Sequence, residues 1–348
     1  MKGASRSDAA PQSVEELEDR LSEPSVGAVA ALAASPGDVV VLGAGGKMGP
    51  SLARMVRRAA DRIGDKRRVI AVSRFSSEAA ARTLSASGVE VVRADLGNPD
   101  AYASLPAAPN VIFMVGQKFG TSDAPGRTWF TNTVVPALAA SRYRGSRLVV
   151  FSTGNVYALT PVARGGSTEG ETPAPVGEYA MSCLGRERVF EHAAAEWGTH
   201  SVVLRLNYAV DLRYGVLVDL AERVRRGAPV DVCMGWVNCI WQGDANAIAV
   251  AALGLVAAPP TVVNLTGPEV LRVRDVATTL AARLGTAARF DGVEAPDALL
   301  SNTARCQTLL GAPAVSAHTL IDWVADWVGA GRVTLGMATR FEERTGSY

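Results

Sequence analysis

Residues that bind metals or form disulfide bridges are scarce in this sequence. Among 348 residues there are only four cysteines and three histidines. The cysteines lack the paired spacing of zinc sites, so the sequence predicts no metal site. We expect their thiols to be reduced, which is typical of a cytoplasmic protein. The cysteines are Cys183, Cys233, Cys239 and Cys306.

An excess of charge of one sign and long apolar runs are also missing. The 35 basic side chains nearly balance the 34 acidic ones, which leaves a net charge of +1. Such a balance argues against nucleic acid or a membrane surface as the partner. No apolar run approaches the length of a membrane span, and the first residues lack the apolar core of a signal peptide. A small molecule is therefore the expected partner.

The sequence does contain enough apolar residues for a large core. Hydrophobic residues make up 48% of the chain. Strand-like and helical patterns alternate, which predicts a Rossmann-like α/β fold with a doubly wound parallel sheet and a smaller C-terminal substrate lobe. Strands are predicted at 39–42, 68–72, 89–92, 111–115, 147–151 and 201–206, and long helices at 129–143 and 178–197.

The pattern also predicts how the chain is divided. Residues 1–36 form an N-terminal extension with short helices, and residues 37–206 form the dinucleotide-binding domain. Residues 207–331 form the smaller lobe, interleaved with the core, and include a short strand at 261–265. The tail, residues 332–348, docks on the surface, completes a pocket or joins a subunit contact, and the sequence does not decide among these.

The most informative stretch is a glycine turn between a strand and a helix. Four apolar residues at 39–42 run into Gly43, Gly46 and Gly49, and a helical pattern follows at once. This order is typical of the cradle that binds the pyrophosphate of a dinucleotide, although an ordinary turn has similar glycines. The free N–H groups at the start of the helix then face the anion. Cofactor contacts are expected from Gly43, Gly45, Gly46, Lys47, Met48 and Gly49.

The end of the second strand favours NADP over NAD. A carboxylate there binds the ribose 2′-hydroxyl of NAD, but this chain has Ser73 and Arg74. A guanidinium suits a 2′-phosphate, because the two groups pair in a bidentate way. Arg74 and Lys47 are ordinary surface charges in the alternative interpretation. Further cofactor contacts are expected from Asp95 and Leu96 after the third strand and from Val115 and Gly116 after the fourth.

Several motifs appear in a fixed order after the glycine turn. They are Ser152-Thr153 before Val156-Tyr157, Tyr179 followed by Ser182, Arg205-Leu206-Asn207, Asp244 and Asn264-Leu265-Thr266-Gly267-Pro268. Over about 38–330 the chain resembles the extended short-chain dehydrogenase/reductases, the NAD-dependent epimerase/dehydratase family. The resemblance implies that Thr153 bonds the reacting oxygen and that Tyr179 donates or removes the proton.

The chain departs from this family four residues after Tyr179. The family has a lysine there, which lowers the pKa of the tyrosine and holds the nicotinamide ribose, but this chain has Cys183. Lys118, one of only four lysines, is a possible replacement cation in the loop after the fourth strand. Alternatively Cys183 acts as a thiolate or as an acid and base itself, or the site binds a dinucleotide without turning it over.

The substrate side gives a broader prediction. Gly154-Asn155 stand where dehydratases of the family carry Asp-Glu, which argues against dehydration. We expect Asn155, Asn207 and Trp241 to contact the substrate. The resemblance implies an NAD(P)-dependent oxidoreductase or epimerase acting on a small polar, carbohydrate-like or sugar-nucleotide substrate. It also implies a homodimer formed through the helices at 129–143 and 179–195. The alternatives are a non-redox isomerase or lyase, and a catalytically disabled dinucleotide-binding sensor or scaffold.

Overall fold

A seven-stranded parallel sheet forms the centre of the molecule. The computed structural model of the chain describes residues 9–120 and 123–348. The strand order is β3-β2-β1-β4-β5-β6-β7, and every pairing is parallel. The predicted Rossmann-like fold is confirmed. The strands are β1 Val39–Leu42, β2 Val69–Ser73, β3 Glu90–Arg93, β4 Asn110–Phe113, β5 Arg147–Thr153, β6 Ser201–Leu206 and β7 Thr261–Leu265.

Helices cover both faces of this sheet. None of those in the described residues is long and apolar enough to cross a membrane. A π-helical turn, Phe130–Val134, joins α6 to α7. The helices are α1 Val14–Leu21, α2 Val26–Ala33, α3 Gly49–Arg62, α4 Glu78–Ala86, α5 Ala101–Ser104, α6 Pro125–Trp129, α7 Val135–Arg142, α8 Gly177–Trp197, α9 Val216–Arg225, α10 Gln242–Ala251, α11 Val273–Leu284, α12 Ala304–Leu310 and α13 Ala317–Gly329.

The sequence pattern explains why these layers form. β1 is a continuous apolar run and is fully buried, as expected for a strand of a parallel sheet that is covered on both faces. α3 buries the stripe Leu52, Met55, Val56 and Ala59, which has helical spacing. α2, α3 and α10 cover one face of the sheet, and α7 and α8 cover the other. The strand order reverses between β1 and β4, and this is where open α/β sheets bind ligands.

The chain leaves the sheet after β6 and later returns to it. α9, α11 and α13 enclose a second core. The strand predicted at 261–265 is not in this lobe, because β7 pairs with β6 along its whole length. α10 likewise packs on α2 and α3 of the main layer. The division at residues 206 and 207 stays a prediction.

Two peripheral segments pack on this framework. α1 and the loop that follows it, within the predicted extension 1–36, are tied to α3 by ion pairs such as Arg58–Glu23 at 2.6 Å, and α2 packs on α3 through apolar side chains. The first eight residues of that extension lie outside the described residues. The tail segment, residues 332–348, runs across the lobe and buries the side chains of Phe341 and Tyr348. Its end therefore lies inside the fold rather than on the surface.

Candidate active site

The glycine turn holds the start of α3 close to the neighbouring strands. Gly43 has φ +86°, a conformation that favours glycine, and its N–H donates to the Val72 carbonyl at 2.9 Å. A Cβ atom on Gly49 would lie only 2.6 Å from the Cα of Ala44, so a side chain does not fit there. Because the turn stays this tight, the free N–H groups of α3 face the crevice above β1 and β4.

Two cavities meet at this turn and together suit an extended dinucleotide. One, of about 500 Å³, lies over β2 and β3, and the other, of about 400 Å³, lies over β4 and β5. Both contact Gly43 and Gly116. The larger is also lined by the predicted residues Ser73, Arg74, Asp95, Leu96 and Val115. The smaller is also lined by the predicted residues Gly46, Lys47, Met48, Gly49, Lys118, Thr153, Asn155, Tyr179 and Asn207.

The larger cavity has basic side chains at its rim. Arg74 is exposed and lines it, and Arg127 from α6 lines it as well. The sequence analysis did not single out Arg127, which carries no motif. The predicted contact Gly45 is exposed and lines neither cavity, and a Cβ atom there would reach within 2.6 Å of the Ser73 Oγ. Asp95 uses Oδ1 to accept from the Gly97 N–H at 3.0 Å, so it also orders the loop after β3.

Thr153 and Tyr179 lie together on the wall of the smaller cavity. Thr153 ends β5, donates to Asn155 Oδ1 at 3.0 Å and accepts from the Asn155 N–H at 3.2 Å. Burial raises the pKa of Tyr179 well above 10, although hydrogen bonding with Thr153 and the charge of Arg186 oppose this shift. The phenol is therefore protonated at neutral pH and available as a proton donor.

Cys183 lies behind this wall and is completely buried. It occupies the position one helical turn after Tyr179 on α8 and packs with Val156 and Tyr157. Burial raises the pKa of the Cys183 thiol. A neutral thiol supplies no positive charge to the phenol, and a fully buried thiol is poorly placed to act as a nucleophile.

Positive charge reaches Tyr179 from the opposite side of the cavity. The Nζ atom of Lys118 lies 6.0 Å from the centroid of the Tyr179 ring and donates to the Thr339 carbonyl at 3.3 Å. Burial and the nearby Lys47 lower the pKa of Lys118 to about 8. Partial desolvation also lowers the pKa of Lys47 to about 8, and its ammonium lies 3.1 Å from the centroid of the Tyr214 ring.

A second buried cation, Arg186, was not identified from the sequence. It follows Tyr179 by two helical turns, so it lies on the same face of α8 and lines the same cavity. It donates to the Phe151 carbonyl at 2.7 Å and to Asn132 Oδ1 at 2.9 Å. No acceptor for its Nε lies within the described residues. The spacing of seven residues from Tyr179 was the available signal.

Asn132 connects this cation to the loop that carries Lys118. It lies in the π-helical turn, a feature that often marks functional sites. Its Oδ1 also accepts from the Gln117 N–H at 2.9 Å, and its Nδ2 donates to the Gln117 carbonyl at 3.0 Å. The loop after β4 and the face of α8 that carries Tyr179 are therefore fixed to each other.

The predicted substrate residues do not all meet at the cavity. Asn155 and Asn207 line it, and Asn207 donates to Asn238 Oδ1 at 3.0 Å. The structure does not bring Trp241 to the cavity. Trp241 is only 2% exposed and packs edge to face with Trp323, with 5.5 Å between the ring centroids. In the sequence Trp241 lies beside polar residues, which is typical of a pocket wall, but its side chain is buried in the apolar core of the lobe.

Comparison with known families identifies this arrangement. The family described as the NAD dependent epimerase/dehydratase family matches residues 39–227, which is more than half of the chain. This chain belongs to that family. The match includes the glycine turn, Thr153 and Tyr179, and the family resemblance inferred from the motifs is confirmed. Members of the epimerase/dehydratase family bind a nicotinamide dinucleotide.

Solved structures confirm the fold of this family member. UDP-glucose 4-epimerase from Thermotoga maritima, solved with UDP-glucose, is 17% identical with a TM-score of 0.68, covering 84% of this chain and 99% of its own. A mutant of UDP-glucuronic acid 4-epimerase from Bacillus cereus, solved with UDP-4-deoxy-4-fluoro-glucuronic acid and NAD, is 16% identical with a TM-score of 0.69 and the same coverage. No curated protein matches the chain.

Proposed function

We propose that this member of the epimerase/dehydratase family is an NAD(P)-dependent oxidoreductase or epimerase that acts on a carbohydrate-like substrate. The observation that carries the proposal is the position of Thr153 and Tyr179. Both hydroxyl groups line the cavity that continues directly from the glycine turn. A reacting carbinol or carbonyl group held there lies between two hydroxyl groups and the nicotinamide end of a dinucleotide.

Each residue has a defined part in this proposal. Thr153 holds the reacting oxygen, and Tyr179 moves a proton to or from it. When bound, the nicotinamide ring supplies hydride transfer at the adjacent carbon. Lys118 takes over from the lysine that Cys183 replaces, since a nearby cation stabilises the phenolate form of Tyr179. Arg186 adds positive charge from within α8.

We further propose that NADP is preferred to NAD. Arg74 and Arg127 both line the cavity over β2, where the adenosine ribose binds in this fold. β2 ends with Ser73, which offers no carboxylate for a 2′-hydroxyl. Two guanidinium groups at this rim are suited to a 2′-phosphate.

A homodimer is part of the proposal. Phe130, Val134 and Met181 are each at least 40% exposed and belong to the segments that precede α7 or form α8. Large apolar side chains on neighbouring helical segments suit an isologous contact with a second copy of this chain. We expect Met181→Glu to convert a dimer to a monomer in light scattering, and a monomeric wild type would refute this part of the proposal.

A cofactor-binding protein without turnover is the second candidate, and the neutral Cys183 is the observation that favours it. The test uses the Tyr179→Phe variant and the native chain, each loaded with NADP. With aldoses, UDP-glucose and UDP-glucuronic acid, oxidation is followed by the absorbance of the reduced nicotinamide, and epimerisation is followed by separation of the sugar epimers. We expect turnover by the native chain and a loss of about 10²- to 10⁴-fold in the variant, the range for general acid–base catalysis. Unaltered turnover in the variant, or none in the native chain, would exclude the proposed catalysis.

A further inference from the structure

The tail segment is anchored at several buried points along the front of the lobe. The N–H and Oγ1 of Thr339 donate to Asp219 Oδ2 at 2.7 and 2.6 Å. The Phe341 side chain has no exposed surface, and its carbonyl accepts from the Tyr208 hydroxyl at 3.3 Å. Arg344 forms an ion pair with Asp297 and donates to the Cys233 carbonyl at 3.2 Å. Because these contacts are spread over the segment, it is a fixed part of the fold rather than a loose strand.

The tail segment also packs tightly against the start of α8. Gly177 begins this helix with φ +83°, and a Cβ atom there would lie 2.8 Å from the Gly346 carbonyl carbon. No side chain fits between the two backbones. The helix that carries Tyr179 is therefore in direct contact with the tail segment two residues before the catalytic tyrosine.

These contacts place Tyr348 against the catalytic residues. Its ring packs edge to face on Tyr179, with 5.6 Å between the centroids, and only 4% of Tyr348 is exposed. Its hydroxyl accepts from Asn155 Nδ2 at 2.7 Å. The ammonium of Lys118 lies 4.3 Å from the centroid of the Tyr348 ring. One aromatic ring thus contacts three of the residues assigned to catalysis or substrate binding.

Little space remains beyond this ring. The void enclosed by Asn155, Leu159, Leu299 and Tyr348 has a volume of about 30 Å³, which holds water but no part of a larger ligand. The cavity on the catalytic side has about 400 Å³, towards the lower end of the roughly 300–1,000 Å³ of small-molecule sites. The nicotinamide end of the cofactor must share that volume with the substrate.

We propose that the tail segment is a permanent wall of the substrate site, which restricts it to a substrate of about monosaccharide size and excludes nucleotide-linked sugars. Thr339 lines the cavity directly. Tyr348 lies behind the lining residues Asn155, Lys118 and Tyr179 and sets this limit by holding them in place. Thr339 and Tyr348 together position the Lys118 ammonium. The inference rests on the proposed function, since it names the substrate class of the same site. Of the substrate classes that the family resemblance leaves open, it favours a small carbohydrate over a sugar nucleotide.

The first test measures binding of UDP-glucose to the NADP-loaded protein by titration calorimetry. We expect no measurable binding to the native chain or to Tyr348→Phe, which keeps the ring. Tyr348→Ala removes the ring behind these lining residues and so enlarges the site, which should raise the affinity by at least about tenfold, a change of about 1.4 kcal/mol. Met337→Ala is the matched control, because Met337 is 48% exposed in the same segment. Binding of UDP-glucose to the native chain as tight as to Tyr348→Ala would overturn the proposal, and so would no gain in Tyr348→Ala.

The second test measures the positioning of Lys118 without a substrate. Labelling with acetic anhydride at a series of pH values, read by mass spectrometry, gives the pKa of Lys118. We expect about 8 in the native chain and an increase toward 10.5 in Tyr348→Ala, because water then reaches the ammonium. An unchanged pKa in Tyr348→Ala would contradict the positioning role. Neither test requires turnover, so either can succeed or fail independently of the Tyr179→Phe experiment.

Discussion

The ammonium of Lys118 and the ring of Tyr179 face each other across the candidate active site, 6.0 Å from nitrogen to centroid. The loop after β4 contributes the lysine, whereas α8 contributes the tyrosine. In the family resemblance both groups come from one helix. Here the position on α8 is the buried Cys183, so the charge reaches the phenol from the opposite wall. The role of Lys118 can therefore be tested by moving the lysine from position 118 to position 183.

Moving the lysine from position 118 to position 183 should restore part of the activity that is lost when Lys118 is removed. We expect Lys118→Met to lower turnover by about 10²-fold or more, the lower range for loss of a group that assists proton transfer. Adding Cys183→Lys to that variant should restore part of the loss, since the new ammonium lies one helical turn from Tyr179. Initial rates of substrate turnover measure both effects, with Cys183→Met as the uncharged control of similar length.

Cys183→Lys alone should not raise turnover, because Lys118 already supplies the charge. A large gain would instead identify the native site as a disabled redox site. A complete loss that Cys183→Met shares would assign the thiol itself to the chemistry. The three outcomes are distinct in the same rate measurement.

Activity should decline as the pH rises through the pKa of Lys118. Burial lowers this pKa to about 8, so the ammonium is lost well below the ordinary 10.5 of a lysine. If the charge is needed, turnover falls by about tenfold per pH unit above that point, since one proton is involved. Lys118→Arg keeps its charge at high pH and should remove this decline. A pH–rate profile that is identical for the two proteins would exclude Lys118 as the titrating group.

The pH dependence of the free energy of unfolding should also report the lowered pKa of Lys118. The pKa of Lys118 is lower in the folded chain than in the unfolded chain, so between pH 8 and 10.5 the unfolded chain binds more protons. The free energy of unfolding of the native chain should therefore rise with pH in this window relative to Lys118→Met. The slope cannot exceed about 1.4 kcal/mol per pH unit for one proton. Urea titrations at several pH values measure the difference, and parallel curves would contradict it.

Arg74→Ala should weaken NADPH binding much more than NADH binding. Loss of one charge-assisted contact to phosphate corresponds to about 1.5–3 kcal/mol, or roughly 10- to 150-fold in affinity. Fluorescence titration of both cofactors with the native chain and the variant measures this selectivity. Arg82→Ala on α4 is a matched control, because its side chain is 70% exposed. Equal affinity of the native chain for the two cofactors would remove the argument for 2′-phosphate recognition.

A methyl group at Gly49 should disrupt the glycine turn. The Cβ atom of Gly49→Ala would meet the Ala44 backbone at 2.6 Å, and overpacking of this kind costs about 1–3 kcal/mol. We expect a lower unfolding temperature and weaker cofactor binding. Gly126→Ala is the control, since nothing lies within 4 Å of a Cβ atom there. Similar effects of the two variants would show that the close approach at Gly49 is not what matters.

Local patterns were sufficient to predict most of the sheet and the tight glycine turn between β1 and α3. Strand β1 and the glycines that follow it carry their signal within about ten residues, and β6 was predicted with its exact bounds. Helix α4 was missed, although Ser77 accepts from the Ala80 N–H as an N-cap and offered a recognisable start. Local chemistry therefore accounts for the elements and for the turn.

Long-range contacts could not be predicted in this way. The pairing of β7 with β6 depends on a chain return that no local pattern encodes. The contact of Lys118 with Thr339 joins residues that are 221 positions apart. The burial of Tyr348 against Tyr179 depends on anchors throughout the tail segment. These features decide the shape of the substrate side, which explains why the sequence predicted the cofactor side in more detail.

The late position of β7 has a consequence for how the protein is made. A ribosome that has released residues up to the end of β6 has produced six strands, and the outer backbone of β6 still has no partner. An open strand edge of this kind pairs readily with other chains. The nascent polypeptide must therefore shield that edge, or delay formation of the sheet, until the segment Thr261–Leu265 has emerged and paired with β6.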